Sequence, residues 1–222
     1  NIAAHNFSAA RQVVPFLKGW LQPKSVLDVG CGTGTWLKIW EENSITDLLG
    51  IDGHHLDKSL LVIDENKIEL KDLEQPFDLG RTYDLVVCLE VAEHLAENKA
   101  EDFVASLCRH GKIILFSAAI PLQHGQNHVN EQWPSYWQEK YARHGYYYSD
   151  CLRSKFGDDE KVECWYKQNM FLVCHESMKH LVPETQTILT IIHPQLYFMR
   201  LNKKEKKAHI KKFGPVKYLN KL

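Results

Sequence analysis

The feature that most narrows the possibilities is VLDVGCGTGTW, residues 26–36. An apolar run ends in three glycines, Gly30, Gly32 and Gly34, and a helix-forming run follows. Glycines between a strand and a helix permit a tight turn and let the backbone approach a ligand closely. A dinucleotide fingerprint would need glycine at 30, 32 and 35, but position 35 is Thr35. This disfavours a nicotinamide dehydrogenase. The loop also carries no Lys or Arg, so it suits a ligand without phosphate at this point.

Around this turn the chain alternates apolar strands with helical segments. Strands are expected at 25–29, 47–52, 67–71, 83–89 and 112–117, with helices at 35–42 and 99–108. Residues 8–21 read as an amphipathic helix that Pro15 bends or breaks. Tyr146–Ser149 and 169–174 read as an antiparallel pair at the sheet edge. The pattern predicts an α/β, doubly wound, mostly parallel sheet with helices on both faces. Ligands of such sheets bind past the carboxyl ends of the strands. Three aspartates sit there. Asp28 can meet a cationic amine, Asp52 can take both hydroxyls of a ribose, and Asp72 can accept from an adenine amino group. One such aspartate is ordinarily a surface or cap residue; three at successive strand ends beside the glycine turn point to a binding site.

The 222 residues are 44% hydrophobic, enough for one core and one domain. The main domain is expected over 1–178, with 179–222 a C-terminal extension packed on it or partly mobile. The 27 basic and 28 acidic residues nearly balance, which disfavours nucleic acid as a partner. No apolar run is long enough to span a membrane, and no export signal is seen, so a cytoplasmic location is expected. The first residue is Asn, as expected of a piece cut from a longer protein. Six cysteines stand singly and read as core thiols in a reducing compartment. The cluster KKEKKAHIKK at 203–212 reads as a solvated helix or frayed end, or as a grip on an anionic substrate or neighbouring domain.

After the fourth strand comes EVAEHL, residues 90–95. On a helix, Glu90, Glu93 and His94 share one face. Three uses are open: a half-site for Mg²⁺ or Mn²⁺, a lone general base in His94, or acidic residues that favour a helix N-terminus. His124 and His128 follow the fifth strand, and His128 is the preferred further ligand or acid/base partner.

The ordered segments VLDVGCGTG, LLGID, KDLEQP and YDLVVCLEVAEHL resemble the motifs of class I S-adenosylmethionine-dependent methyltransferases. The resemblance implies a seven-stranded Rossmann-like sheet whose last strand is antiparallel, with S-adenosylmethionine as cofactor. It implies that Gly30, Gly32 and Gly34 wrap the methionine part, that Asp52 holds the ribose, and that Asp72 lies near the adenine. Asp28, Leu73 and Leu89 complete the implied cofactor set. The ExxEH pattern is similar to that of ubiquinone-pathway O-methyltransferases and of plant small-RNA 3′-end 2′-O-methyltransferases. That likeness implies Glu90, Glu93, His94 and His128 as metal ligands, with His94, Glu93 and His128 at the chemistry. From residue 116 on, FSAAIPLQHGQNHVNEQWPSYW, GYYYSDCLRSKFGDDEKVECWYKQNMFLV and IIHPQLY resemble a subgroup found in glycan-assembly proteins, some fused to glycosyltransferase domains. This implies a sugar-hydroxyl acceptor. Trp133, Tyr136, Trp137, Trp165 and Tyr166 are expected near the mouth, where aromatic faces suit sugar rings, or else in the core and lid. The alternatives are an RNA ribose 2′-O-methyltransferase, a small-molecule enzyme acting on a phenol or carboxylate, and a non-catalytic cofactor-binding module beside a glycosyltransferase.

Overall fold

The computed structural model of the chain describes residues 6–214. The expectations placed on 1–5 and on 215–222, the end of the C-terminal extension, lie outside the described residues. Strands β1 (Ser25–Val29), β2 (Asp47–Asp52), β3 (Ile68–Leu70), β4 (Leu85–Leu89), β5 (Ile113–Ser117), β6 (Tyr146–Ser149) and β7 (Phe171–His175) form one sheet. Their order is β3-β2-β1-β4-β5-β7-β6. The pairs from β3 through β5 are parallel, while β7 runs antiparallel to both β5 and β6. The doubly wound, mostly parallel, seven-stranded sheet read from the sequence is present.

The central strands are buried on both faces, and successive residues serve opposite cores. Val26, Leu85, Val87 and Leu115 pack on one side beneath α1 (Ser8–Leu21) and α2 (Thr35–Glu42). Leu27, Val86, Cys88, Ile114 and Phe116 pack on the other beneath α3 (Ala100–His110) and α4 (Pro134–Ala142). The order reverses between β1 and β4, so the crevice at the carboxyl ends of these two strands is the topological switch point.

One local expectation is corrected here. Helix α1 runs unbroken through Pro15. The proline lies on the solvent face, while Val13, Val14 and Leu17 hold the helix to the core on both sides of it. The link from β3 to β4 contains no helix. Pro76 and Gly80 disfavour one, and the segment is pinned to α3 instead: Phe77 N donates to Ser106 Oγ (3.1 Å) and Leu79 N to His110 Nε2 (2.9 Å).

Helices α5 (Cys151–Phe156) and α6 (Cys164–Asn169) fill the connection from β6 to β7. The chain then returns toward the carboxyl ends of the strands. Thr185 N donates to Tyr148 O (2.9 Å), Arg153 Nη2 to Leu189 O (2.9 Å), and His193 N to Gln168 Oε1 (2.7 Å). Helices α7 (Pro194–Arg200) and α8 (Lys203–Phe213) follow. All six cysteines are free thiols, four of them buried. No helix among the described residues is long and apolar enough to cross a membrane.

Candidate functional site

The glycine turn adopts a conformation that other residues resist. Gly30, Gly32 and Gly34 have φ of 77°, 52° and 83°. Gly30 N and Cys31 N both donate to Ile51 O (2.8 and 3.2 Å), which folds the loop over the end of β2. A Cβ on Gly30 would fall 2.3 Å from Val91 Cγ2, and one on Gly34 2.6 Å from Ile63 Cγ2. A Cβ on Gly32 would meet nothing within 4 Å, because this glycine faces open space.

The strand-end acids line that space. Asp52 is 7% exposed; its Oδ2 accepts from Gly32 N (2.6 Å) and its Oδ1 from Gly53 N (2.7 Å). A carboxylate oxygen has two lone pairs, so each retains one for a ligand hydroxyl. Asp52, Asp72, Leu73 and His94 line a cavity of about 810 Å³. Asp72 is exposed, and its Oδ1 accepts from Glu74 N (3.0 Å) in a local turn. A second cavity, of about 310 Å³, meets the first at Gly30 and is lined by Asp28, Thr33, Leu89, Glu163 and Tyr166. Asp28 is 4% exposed and its Oδ2 has no hydrogen-bond partner. Burial, helped by the charge of Asp52, pushes its pKa up to about 8. A buried carboxylate with a free oxygen facing a cavity is built to receive a cationic amine. The residues therefore fit an adenosyl sulfonium amino acid, with ribose at Asp52 and ammonium at Asp28.

The acceptor side departs from the expected helix. Glu90 has a left-handed φ of 55°, and only a short 3₁₀ turn, Ala92–His94, follows. Its amide bonds to Ser117 O (3.0 Å) and Ser117 Oγ (3.1 Å), which fixes the reversal. Its carboxylate accepts from Gln123 Nε2 (2.8 Å) and Asn169 Nδ2 (3.2 Å) and still lies close enough to Glu93 for its charge to act there. The reversal at Glu90 corrects the expectation that Glu90, Glu93 and His94 share a helical face.

What the structure brings together is Glu93, His94 and His128, with one donor atom of each within 4.8 Å of the others. Glu93 is fully buried, and its carboxylate has no side-chain partner; the backbone amides of Glu93 and Ala119 offset only part of the cost of burial. Burial, then the charge of Glu90, pushes its pKa up to about 9. His128 Nε2 stands 4.0 Å from Glu93 Oε1, and His128 Nδ1 lies 2.8 Å from Glu131 Oε1. The rings of His94 and His128 meet edge-on at 4.9 Å. Burial and the neighbouring His128 hold the His94 imidazole below its ordinary pKa, so it is neutral at pH 7. A Cβ on Gly125 would fall 2.1 Å from His128 Nε2, so glycine there leaves room for the ring. His124 stays exposed and outside this cluster; its carbonyl accepts from Arg200 Nη2 (3.1 Å).

The aromatic residues divide. Trp137 is buried against Phe116, and Tyr136 packs against Trp137 beneath Lys140, so both belong to the core rather than the mouth. Trp133 is partly exposed at the start of α4. Trp165 and Tyr166 line the smaller cavity, with Tyr166 edge-on to Trp36 at 5.6 Å. Sequence reasoning missed Gln123, Gln168 and Asn169, which surround Glu90 as buried amides, and Glu163, which bonds Asn6 over the smaller cavity. The signal was available: two amides, Gln168 and Asn169, directly precede an apolar strand.

The model of the methyltransferase domain family matches residues 2–154. The chain belongs to that family. Its fold is that of S-adenosylmethionine-dependent methyltransferases among solved structures. The sugar N-methyltransferase KedS8 from Streptoalloteichus is 16% identical with a TM-score of 0.57, over 78% of this chain and 87% of that one. DesVI of Streptomyces venezuelae is 13% identical with a TM-score of 0.55, over 78% and 93%. The methyltransferase domain of bacterial CtHen1 is 20% identical with a TM-score of 0.54, over 77% and 98%. No curated protein matches the chain. At these identities the family methyltransferase shares a fold with its neighbours, and the acceptor is a matter for its own residues.

Proposed function

We propose that this methyltransferase transfers a methyl group from S-adenosylmethionine to a hydroxyl oxygen of a sugar or glycan, assisted by Mg²⁺ or Mn²⁺. The observation that carries the reading is Glu93: a fully buried carboxylate with no side-chain partner, its burial only partly offset by the backbone amides of Glu93 and Ala119, beside two imidazoles. An isolated buried carboxylate is costly unless something else completes it. One carboxylate oxygen and two imidazole nitrogens, after small side-chain adjustments, suit a divalent transition metal such as Mn²⁺ better than Mg²⁺, which prefers oxygen ligands.

In this reading Asp28 binds the cofactor ammonium, Asp52 the ribose and Asp72 with Leu73 the adenine, while Gly30, Gly32 and Gly34 let the backbone close on the methionine part and Leu89 packs beside it. When bound, the sulfonium supplies an electrophilic methyl. The work left to the chain is to align an acceptor oxygen and ease the loss of its proton. Glu93, His94 and His128 would hold the cation, which would lower the pKa of a coordinated hydroxyl. Glu131, bonded to His128 Nδ1, fixes that ring so that Nε2 faces the site. Glu90 keeps its carboxylate on Gln123 and Asn169 and orients the acceptor from the opposite wall.

The hydroxyl acceptor is favoured by the ExxEH resemblance to O-methyltransferases, and a hydroxyl, with its high pKa, gains from a nearby base or cation. A sugar is favoured by the resemblance of residues 116–197 to glycan-assembly proteins. The printed names of KedS8, a sugar N-methyltransferase, and of CalS10, an amino pentose methyltransferase, support the sugar and not the choice of oxygen over nitrogen. The test is labelled S-adenosylmethionine with a panel of neutral glycans, amino sugars and RNAs, run with Mg²⁺, Mn²⁺ or EDTA. Label on neutral glycans that EDTA abolishes and either metal restores is the expected result. Full activity in EDTA would leave His94 as a metal-free general base, label on amino sugars alone would make the acceptor a nitrogen, and label on RNA alone would make it a terminal ribose.

A further inference from the structure

Ten large apolar side chains stand exposed among the described residues, and nine of them fall in two short segments. Three belong to the loop after β5: Leu122, Val129 and Trp133, at 71%, 65% and 38% exposure. Six belong to residues 189–213, with Phe213 and Leu189 at 67% and 60%. The segments form one rim. Arg200 Nη2 donates to His124 O (3.1 Å), and Gln168 joins the two, donating to Gln123 Oε1 (3.4 Å) while accepting from His193 N (2.7 Å). This rim adjoins His128 on the acceptor side.

The same rim is strongly basic. Residues 200–213 contain seven basic residues and one acid, a net +6 in a chain whose total is −1. The one acid, Glu205, accepts from Asn202 N in a capping box, while Asn202 caps Lys204 N and Glu205 N. Helix α8 buries none of its residues. It touches α7 through His209 against Phe198 (5.6 Å) and through Lys206 Nζ on Met199 O (3.3 Å). Ile210 and Phe213, one turn apart, face solvent among the lysines. A short helix draws most of its stability from packing an apolar face, and here the described residues leave Ile210 and Phe213 exposed.

We propose that this rim docks on an anionic lipid surface, with α8 in the headgroup layer and the acceptor side of the site turned toward the membrane. Lysines around exposed aliphatic and aromatic side chains match the two attractions of such a surface, headgroup charge and the acyl boundary. A single-stranded RNA would use the lysines but draws its other affinity from base stacking on aromatic faces, and Leu122, Val129, Leu189, Ile191 and Ile192 offer none. The inference is independent of the acceptor and of the metal.

The experiment is sedimentation of the whole chain with phosphatidylcholine vesicles, with and without 30% phosphatidylglycerol, at low and high salt. Binding is expected only to the anionic vesicles and should fall as salt rises. Lys204→Glu, Lys207→Glu and Lys211→Glu together should lower the partition coefficient about a hundredfold or more, at roughly fivefold or more per lysine. Ile210→Ser with Phe213→Ser should weaken binding at both salt concentrations. Calorimetry with S-adenosylhomocysteine and circular dichroism establish that each variant is folded. Equal partition to both vesicles, partition to neither, RNA binding without vesicle binding, or a dimer that Phe213→Ser dissolves would each overturn the proposal.

Discussion

Asp28 is a carboxylate that the fold keeps nearly neutral until a ligand arrives. Burial is the main cause, and it raises the pKa to about 8. An acid whose folded pKa exceeds its unfolded value of about 3.9 binds more protons in the folded state between those limits. Its contribution to stability therefore declines as pH rises from about 4 to about 8. A bound ammonium reverses the preference, so binding expels a proton below about pH 8 and tightens as pH climbs toward it. Titration of S-adenosylhomocysteine in two buffers of different ionisation enthalpy should reveal that proton; a dissociation constant flat from pH 6 to 8 would remove Asp28 from the site. Asp28→Asn should stabilise the free protein at pH 8 yet weaken the ligand by about tenfold or more. The two histidines allow a matched comparison. His94→Ala should lower turnover by about 10²-fold or more with cofactor affinity unchanged. His124→Ala should do little, because His124 engages only through its carbonyl. Equal effects from both would sink the cluster.

At the scale of elements, the glycine turn separates two costs that are usually merged. Gly30→Ala combines a left-handed φ with a Cβ inside Val91, so a loss of about 2–5 kcal/mol is expected. Gly32→Ala has the strained φ without the clash and should cost about 1–2 kcal/mol. Its methyl group, however, enters the open space the cofactor is expected to fill. Denaturant midpoints should rank Gly30→Ala as the less stable, while calorimetry should find cofactor binding damaged in Gly32→Ala even at full foldedness. Normal binding by Gly32→Ala would place the cofactor elsewhere. The same elements mark what could be read beforehand. The bounds of β1, α2 and β6 were legible because strong apolar periodicity and glycine punctuation coincide there. The β3–β4 link was not, since side chains of α3, far along the chain, supply its hydrogen bonds. The path of Glu90 was not legible either: a non-glycine residue in the left-handed region follows from Ser117 on the neighbouring strand, and EVAEHL alone reads as a helix. His128, singled out from its position after β5, stands beside Glu93 and His94.

At the scale of the whole molecule, the surroundings of Glu90 are assembled from distant parts of the chain by buried amides. Glu90 leaves β4, Gln123 follows β5, Gln168 and Asn169 end α6, and His193 begins the last helical pair. Asn169 Nδ2 donates to Glu90 Oε1 (3.2 Å) and to Gln123 Oε1 (2.8 Å), and Gln168 Nε2 donates to Asn169 Oδ1 (3.0 Å). The antiparallel β7 makes this possible, because its reversed direction puts the end of α6, and so both amides, at the carboxyl ends of β4 and β5. Asn169→Leu should therefore act at a distance. It strips Glu90 of one donor, which raises the carboxyl's proton affinity beyond what burial already imposes, and it leaves Gln168 Nε2 one acceptor fewer. A buried group left short of partners costs about 1–3 kcal/mol, so unfolding should occur at lower denaturant. If the network only holds the fold, the damage ends there. If it presents Glu90 to the acceptor, turnover in the still-folded variant should fall and the acceptor KM rise while the cofactor dissociation constant stays put, and Asn169→Gln should recover part of the loss.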